Sequence, residues 1–127
     1  MRITLLIVSF VLCTAVETAA QDFQKTDIIG SWVSNEDVKY VLKADKAVIT
    51  EFYDGEVTGS YNYEILNHSC DEAYLKETSE KVAFLHEYNK EDETCYEIVG
   101  LDKNNLSLIY TAKGNVLSFK KSKAKLN

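Results

Sequence analysis

The stretch Asp54-Gly55 followed by Val57 to Leu66 constrains the fold of this chain more than any other. Both Asp and Gly tolerate positive φ, which a tight two-residue hairpin turn demands. After the turn, Val57, Gly59, Tyr61, Tyr63 and Ile65 fall on one face, and Thr58, Ser60, Asn62, Glu64 and Leu66 on the other. A period of two sustained over that length belongs to a strand, and a strand after such a turn belongs to an antiparallel sheet.

The remaining segments repeat the pattern. Ile28 to Ser34 carries the single tryptophan, Trp32, two residues after Gly30. Val38 to Lys43 sets Val38, Tyr40 and Leu42 against Lys39, Val41 and Lys43, and Ala47 to Tyr53 is rich in β-branched and aromatic residues. Ala73 to Glu77, Val82 to Tyr88, Thr94 to Leu101, Leu106 to Tyr110 and Val116 to Lys121 follow, separated by short polar turns such as Asn104-Asn105 and Lys113-Gly114-Asn115. Nowhere does a 3.6-residue apolar period last for three turns, so no substantial helix is predicted. The chain is predicted all-β, a single antiparallel up-and-down meander. Closing on itself into a barrel of about eight strands buries one face and removes the edges. The count of segments is nine, and edge-to-edge antiparallel closure needs an even number. Ala73 to Glu77, the shortest, is the first candidate to lie outside the barrel.

A chain of 127 residues has room for one core. Met1-Arg2 is a basic start, Ile3 to Val16 an apolar run, and Thr18-Ala19-Ala20 supplies the small residues that a signal peptidase reads. The reading is a signal peptide over 1–20, an N-terminal arm over 21–27, a barrel over 28–121 and a basic tail over 122–127. The apolar run is too short and wrongly flanked for a membrane span. A lipid on Cys13 would need a small residue before it, and Leu12 stands there, so cleavage is preferred to lipoprotein anchoring. Export leaves Cys70 and Cys95, an even number of thiols in an oxidising compartment, whose simplest fate is a disulfide. Its loop of ~24 residues is worth roughly 3 kcal/mol in the chain-entropy picture. A zinc site is the poorer alternative, because only His68 and His86 are left to join the cysteines; no metal and no cofactor are expected.

The formal charge of −6 and the absence of arginine beyond Arg2 argue against nucleic acid and anionic lipid as partners. A nucleophile held by a base, or a matched acid and base, is not visible either. The chain has no Gly-x-Ser-x-Gly and no Cys-x-x-Cys, and its many carboxylates sit mostly in turns or on wet faces. A non-enzymatic, monomeric protein is expected. The acidic tip Glu91-Asp92-Glu93 and the pair Asp71-Glu72 lack the glycine and the ligand offsets of a calcium loop. His86, alternating with Phe84 and Tyr88, reads as a satisfied core or rim histidine.

Gly30-Ser31-Trp32 on the first strand, a meander after it and a basic residue on the last strand resemble the lipocalins and the wider calycin group. More closely, the chain resembles the small lipocalin-like proteins exported by Bacteroidetes-type bacteria. The matching stretches are Gly30-Ser31-Trp32, Tyr61-Asn62-Tyr63-Glu64-Ile65, Cys95-Tyr96-Glu97-Ile98, Leu106-Ser107-Leu108 and Leu117-Ser118-Phe119-Lys120. The resemblance implies a lipocalin-like barrel in a periplasmic or secreted protein. It also implies a plug at the closed end, with Trp32 under a cation from the last strand, Lys120 or Lys121, where the family has arginine. The family's Thr-Asp-Tyr motif and C-terminal helix are missing.

The feature above background is a set of rings on inward positions: Tyr40, Tyr61, Tyr63 and Tyr96, with Trp32, Phe84 and Phe119 nearby. Two readings stay open. The rings fill the narrow barrel, or Tyr40, Tyr61, Tyr63, Phe84 and Tyr96 line a pocket whose hydroxyls orient a small, mostly apolar ligand. A different class of function is a barrel that binds another protein through its surface or its arm, as protease inhibitors of similar architecture do.

Overall fold

The computed structural model describes residues 23–74 and 82–122. The segment over 1–20 expected to be a signal peptide, the basic tail beyond Ser122 and most of the Ala73-to-Glu77 segment lie outside them. Eight strands follow one another in order: β1 Gly30–Ser34, β2 Tyr40–Ala44, β3 Val48–Tyr53, β4 Glu56–Leu66, β5 Ala83–Tyr88, β6 Glu93–Leu101, β7 Asn105–Tyr110 and β8 Val116–Lys121. Each pairs antiparallel with the next, and β1 closes on β8 through Trp32↔Lys121, Val33↔Lys120 and Ser34↔Phe119. The even count that closure requires is met because Ala73 and Tyr74 belong to the connection between β4 and β5, not to a strand. Ile28, expected to open the first strand, instead ends a 3-10 turn, Lys25–Ile28.

Local chemistry sets the turns. Asp54 and Gly55 take φ of 54° and 86°, the left-handed pair of a two-residue hairpin. Three other connections open on an Asx residue whose side chain accepts two backbone N–H groups. Asp45 Oδ1 takes those of Ala47 and Val48, Asn89 Oδ1 those of Glu91 and Asp92, and Asp102 Oδ1 those of Asn104 and Asn105, all at 2.8 Å.

Register decides which face is inside. The pairings Leu42↔Glu51, Ile49↔Tyr61, Tyr63↔Glu87, Leu85↔Tyr96, Ile98↔Leu108 and Leu106↔Phe119 run around the interior. On β5 the inward residues are therefore Ala83, Leu85 and Glu87. Phe84, expected among the interior rings, is buried on the outer face instead, beneath Tyr74 at 6.2 Å between ring centroids. The described part of the β4–β5 connection, 67–74, covers it, and three contacts pin that part: the Cys70–Cys95 disulfide, Tyr74 Oη donating to Glu97 Oε1 at 2.7 Å, and Thr111 Oγ1 donating to Asp71 Oδ2 at 2.8 Å. No helix among the described residues is long and apolar enough to cross a membrane.

Candidate functional site

The two ends of the barrel differ in how completely their buried polar groups are satisfied. At one end lie the β2–β3 and β6–β7 turns, with the 3-10 turn across them, and Ile28 joins the core. Trp32 Nε1 donates to Ile28 O at 2.8 Å. Lys121 Nζ donates to Ile29 O at 2.9 Å and stands 5.0 Å from the indole centroid. Gly30, at φ 139°, makes room for it, since a Cβ there would run into Lys121 Cε. The cation over the tryptophan is thus Lys121; Lys120 points outward and is exposed. Tyr63 belongs to this sealed half. Its hydroxyl donates to Asp45 O at 2.6 Å, and Lys25 Nζ lies 4.3 Å from its ring.

The other half of the interior receives one side chain from each of seven strands: Tyr40 (β2), Glu51 (β3), Tyr61 (β4), Glu87 (β5), Tyr96 (β6), Tyr110 (β7) and Phe119 (β8). Tyr40 packs on Phe119 and Tyr96 on Tyr110, each at 5.7 Å between centroids. Of the five residues expected to line a pocket, the structure brings Tyr40, Tyr61 and Tyr96 together here; Tyr63, cross-strand from Glu87, faces the same interior but turns its hydroxyl to Asp45 O, and Phe84 lies on the outer face. The additions are Tyr110 and two carboxyls, Glu51 and Glu87.

Glu51 sits where β3 and β4 slip register between Glu51 and Phe52. This irregularity re-aims side chains locally. Tyr40 Oη donates to Glu51 Oε2 at 3.1 Å, and Thr58 Oγ1 to Oε1 at 3.4 Å. Glu87 differs. It is 2% exposed, and its carboxyl has no hydrogen-bond partner among the described residues. Burial first, then the neighbouring charge of Glu51, pushes its pKa up to about 8. The hydroxyls of Tyr61, Tyr96 and Tyr110 also make no hydrogen bond with a described residue. Burial raises the Tyr96 hydroxyl far above its ordinary value, with Glu87, Tyr40, Glu51 and Tyr110 adding to the effect. For Tyr40 the order is burial, then the charge on Glu51.

A buried carboxyl without a partner is expensive, and native interiors rarely contain one. Protonated, Glu87 can donate a hydrogen bond; ionised, it is an anion that can pair with a cation. The two states would select different ligands. Outside the barrel, His86 joins Glu64 at 2.9 Å and Glu93 at 3.1 Å and stacks on Tyr88, so its ring is accounted for. No group of three His, Cys, Asp or Glu side chains among the described residues is arranged to hold a metal ion.

Fold and site together define a closed eight-stranded meander barrel, sealed at one end and carrying a tyrosine-carboxyl interior toward the other. Comparison with protein-family models, with curated proteins and with solved structures finds no match to this chain.

Proposed function

We propose that this is an exported, non-enzymatic, lipocalin-like barrel that takes up a small, mostly apolar ligand through its open end. The observation that carries the reading is the asymmetry of satisfaction. In the sealed half Trp32, Tyr63 and Lys121 each have an internal hydrogen-bond partner. In the other half Tyr40 and Glu51 bond each other, whereas Tyr61, Tyr96, Tyr110 and Glu87 have no side-chain hydrogen-bond partner among the described residues. Polar groups converging without partners inside an apolar wall are what an orienting pocket consists of. Exposed Val38, Tyr53, Val57 and Val116 lie at strand ends on the same side of the barrel, which suits the approach of an apolar molecule. Export rests on the segment over 1–20 and is supported by the Cys70–Cys95 disulfide.

The alternative, a protein-binding module or inhibitor-like barrel, relies on a polar arm over 21–27 that inserts into its partner. From Phe23 onward that arm is occupied: Phe23 packs on the core, and Asp27 Oδ2 accepts the Gln24 N–H at 2.8 Å. The observations favour the pocket.

Titration with N-phenyl-1-naphthylamine, a neutral dye that brightens in apolar surroundings, tests it. Saturable binding of one dye per barrel is expected, reduced at least tenfold by Tyr61→Trp, which overfills the mouth. Tyr96→Phe should leave stability nearly unchanged, whereas Tyr63→Phe should cost about 0.5–1.5 kcal/mol, because only the second hydroxyl has an internal partner. No saturable binding, together with equal losses from the two Phe variants, would overturn the pocket.

A further inference from the structure

Resting on the pocket reading, we propose that the ligand is a small organic cation, an ammonium with an apolar body, held by Glu87 and Glu51 among the rings of Tyr40, Tyr61 and Tyr96. The geometry supports this at three points. First, Glu87 is aimed into the interior by its pairing with Tyr63 and Thr94, is 2% exposed and lacks a partner among the described residues. Second, a further carboxyl faces the same interior, and among the described residues the groups acting on Glu87 include no cation that balances the two. Lys121 is committed to Ile29 O and the indole, and Lys25 to the Tyr63 ring, both at the sealed end. Third, the walls around the carboxyls are phenol rings, whose π faces attract a desolvated cation as well as packing on its hydrocarbon. A neutral apolar ligand would use the rings and leave Glu87 unsatisfied. An anion would meet two carboxyls.

The ligand's shape follows from the same residues. Tyr61 curls over Gly59 so closely that a Cβ at position 59 would come within 2.7 Å of its hydroxyl oxygen. The space beside Glu51, which Gly59 faces across the β3–β4 ladder, is therefore narrowed by a ring. A compact primary or secondary ammonium fits such a space better than a quaternary head.

Binding a cation should also move a proton. Glu87 is faced by Glu51 from β3, Tyr40 from β2, Tyr61 from β4 and Tyr96 from β6, with Tyr110 from β7 behind Tyr96. The phenols of Tyr40, Tyr61 and Tyr96 are held neutral by burial first and then by the carboxyls, so between pH 6 and 8 Glu87 is the one of these four groups that titrates. Capture of an ammonium must then release the Glu87 proton to solvent, whereas capture of a neutral molecule need not.

The experiment uses three probes with one hydrocarbon chain and different heads, n-hexylammonium, n-hexanol and hexanoate, titrated calorimetrically into the folded protein. At pH 7 the ammonium should bind at least tenfold more tightly than the alcohol, and hexanoate should not bind. Ammonium affinity should rise about tenfold from pH 6 to 7, following the ionised fraction of Glu87, and buffers of different ionisation enthalpy should report close to one proton released. Glu87→Gln should abolish the preference for ammonium and the pH dependence while leaving hexanol binding intact. Glu51→Gln, read in parallel, should weaken the ammonium alone. Binding of hexanol as tight as that of hexylammonium would overturn the cation and leave the apolar pocket standing. Binding of no probe would overturn both.

Discussion

Lys121 donates to Ile29 O and lies over the Trp32 ring, while Lys120, one residue earlier, is exposed on the outer face of β8. The difference is register alone, since a step of one along a strand moves a side chain to the opposite face. Lys121→Met, which keeps the stem and removes the charge, should destabilise by about 1–3 kcal/mol through loss of a charged hydrogen bond. Lys120→Met should stay within about 0.5 kcal/mol, as an exposed substitution does. Urea unfolding of the two variants checks this, and a reversed order would place β8 one residue out of register. Gly30-x-Trp32 marks a plug only through the family resemblance it carries, and two adjacent lysines leave its cation ambiguous. The alternation Leu117, Phe119, Lys121 resolves the choice once Phe119 is known to face inward. Glu51 and Glu87 are hidden in the sequence for the opposite reason. Ile49-Thr50-Glu51 and Leu85-His86-Glu87 place each carboxyl on the face of a buried aliphatic, yet a glutamate on a short strand is ordinarily taken as solvent-facing.

On β5 the aromatic face, Phe84, His86 and Tyr88, has the composition of an interior, and the true interior is Ala83, Leu85 and Glu87. What makes the outer face tolerable for Phe84 is the connection after β4, which lies against it. That connection has no periodicity that reveals where it packs; in the sequence, its cysteine is the one residue that points to β6. The strands, the Asp54-Gly55 turn and the disulfide were legible because each is set by local spacing or residue type. The cover over Phe84 was not, because it depends on contacts such as Tyr74 with Glu97 and Asp71 with Thr111, across separations of 23 and 40 residues. Removing the disulfide should therefore loosen the cover more than the barrel. Cys70→Ser/Cys95→Ser should lose about 2–4 kcal/mol in thermal or urea unfolding, while Trp32 fluorescence, reporting the sealed end, keeps its buried maximum. A stability unchanged by the double substitution, or two titratable thiols in protein purified from its native host, would contradict the crosslink.

For the whole molecule, the interior carboxyl reverses the usual dependence of stability on pH. Asp37, Asp45 and Asp102 are held below their ordinary 3.8, by the Tyr53 hydroxyl for Asp37 and by backbone N–H groups led by Ala47 and Asn104 for the other two. The stability they contribute is present above that value and is lost as pH falls through their folded pKa values. Glu87 works in the other direction. Its folded value near 8 lies above the ordinary 4.5, so the folded protein retains a proton that the unfolded chain gives up. Its contribution is complete below about 4.5 and declines as pH rises toward 8. Since a tenfold change in proton affinity corresponds to about 1.4 kcal/mol, the fall between pH 5 and 8 amounts to roughly 3 kcal/mol. In a domain of this size that is a drop on the order of 10 °C in Tm. The unliganded protein should thus melt highest near pH 5, and Glu87→Gln, neutral throughout, should flatten the profile between pH 5 and 8 and surpass the parent at pH 8. Scanning calorimetry across that range decides it. A flat parent profile would mean that Glu87 is ionised and satisfied in the folded state, and a slope surviving in the Gln variant would assign the titration to another group.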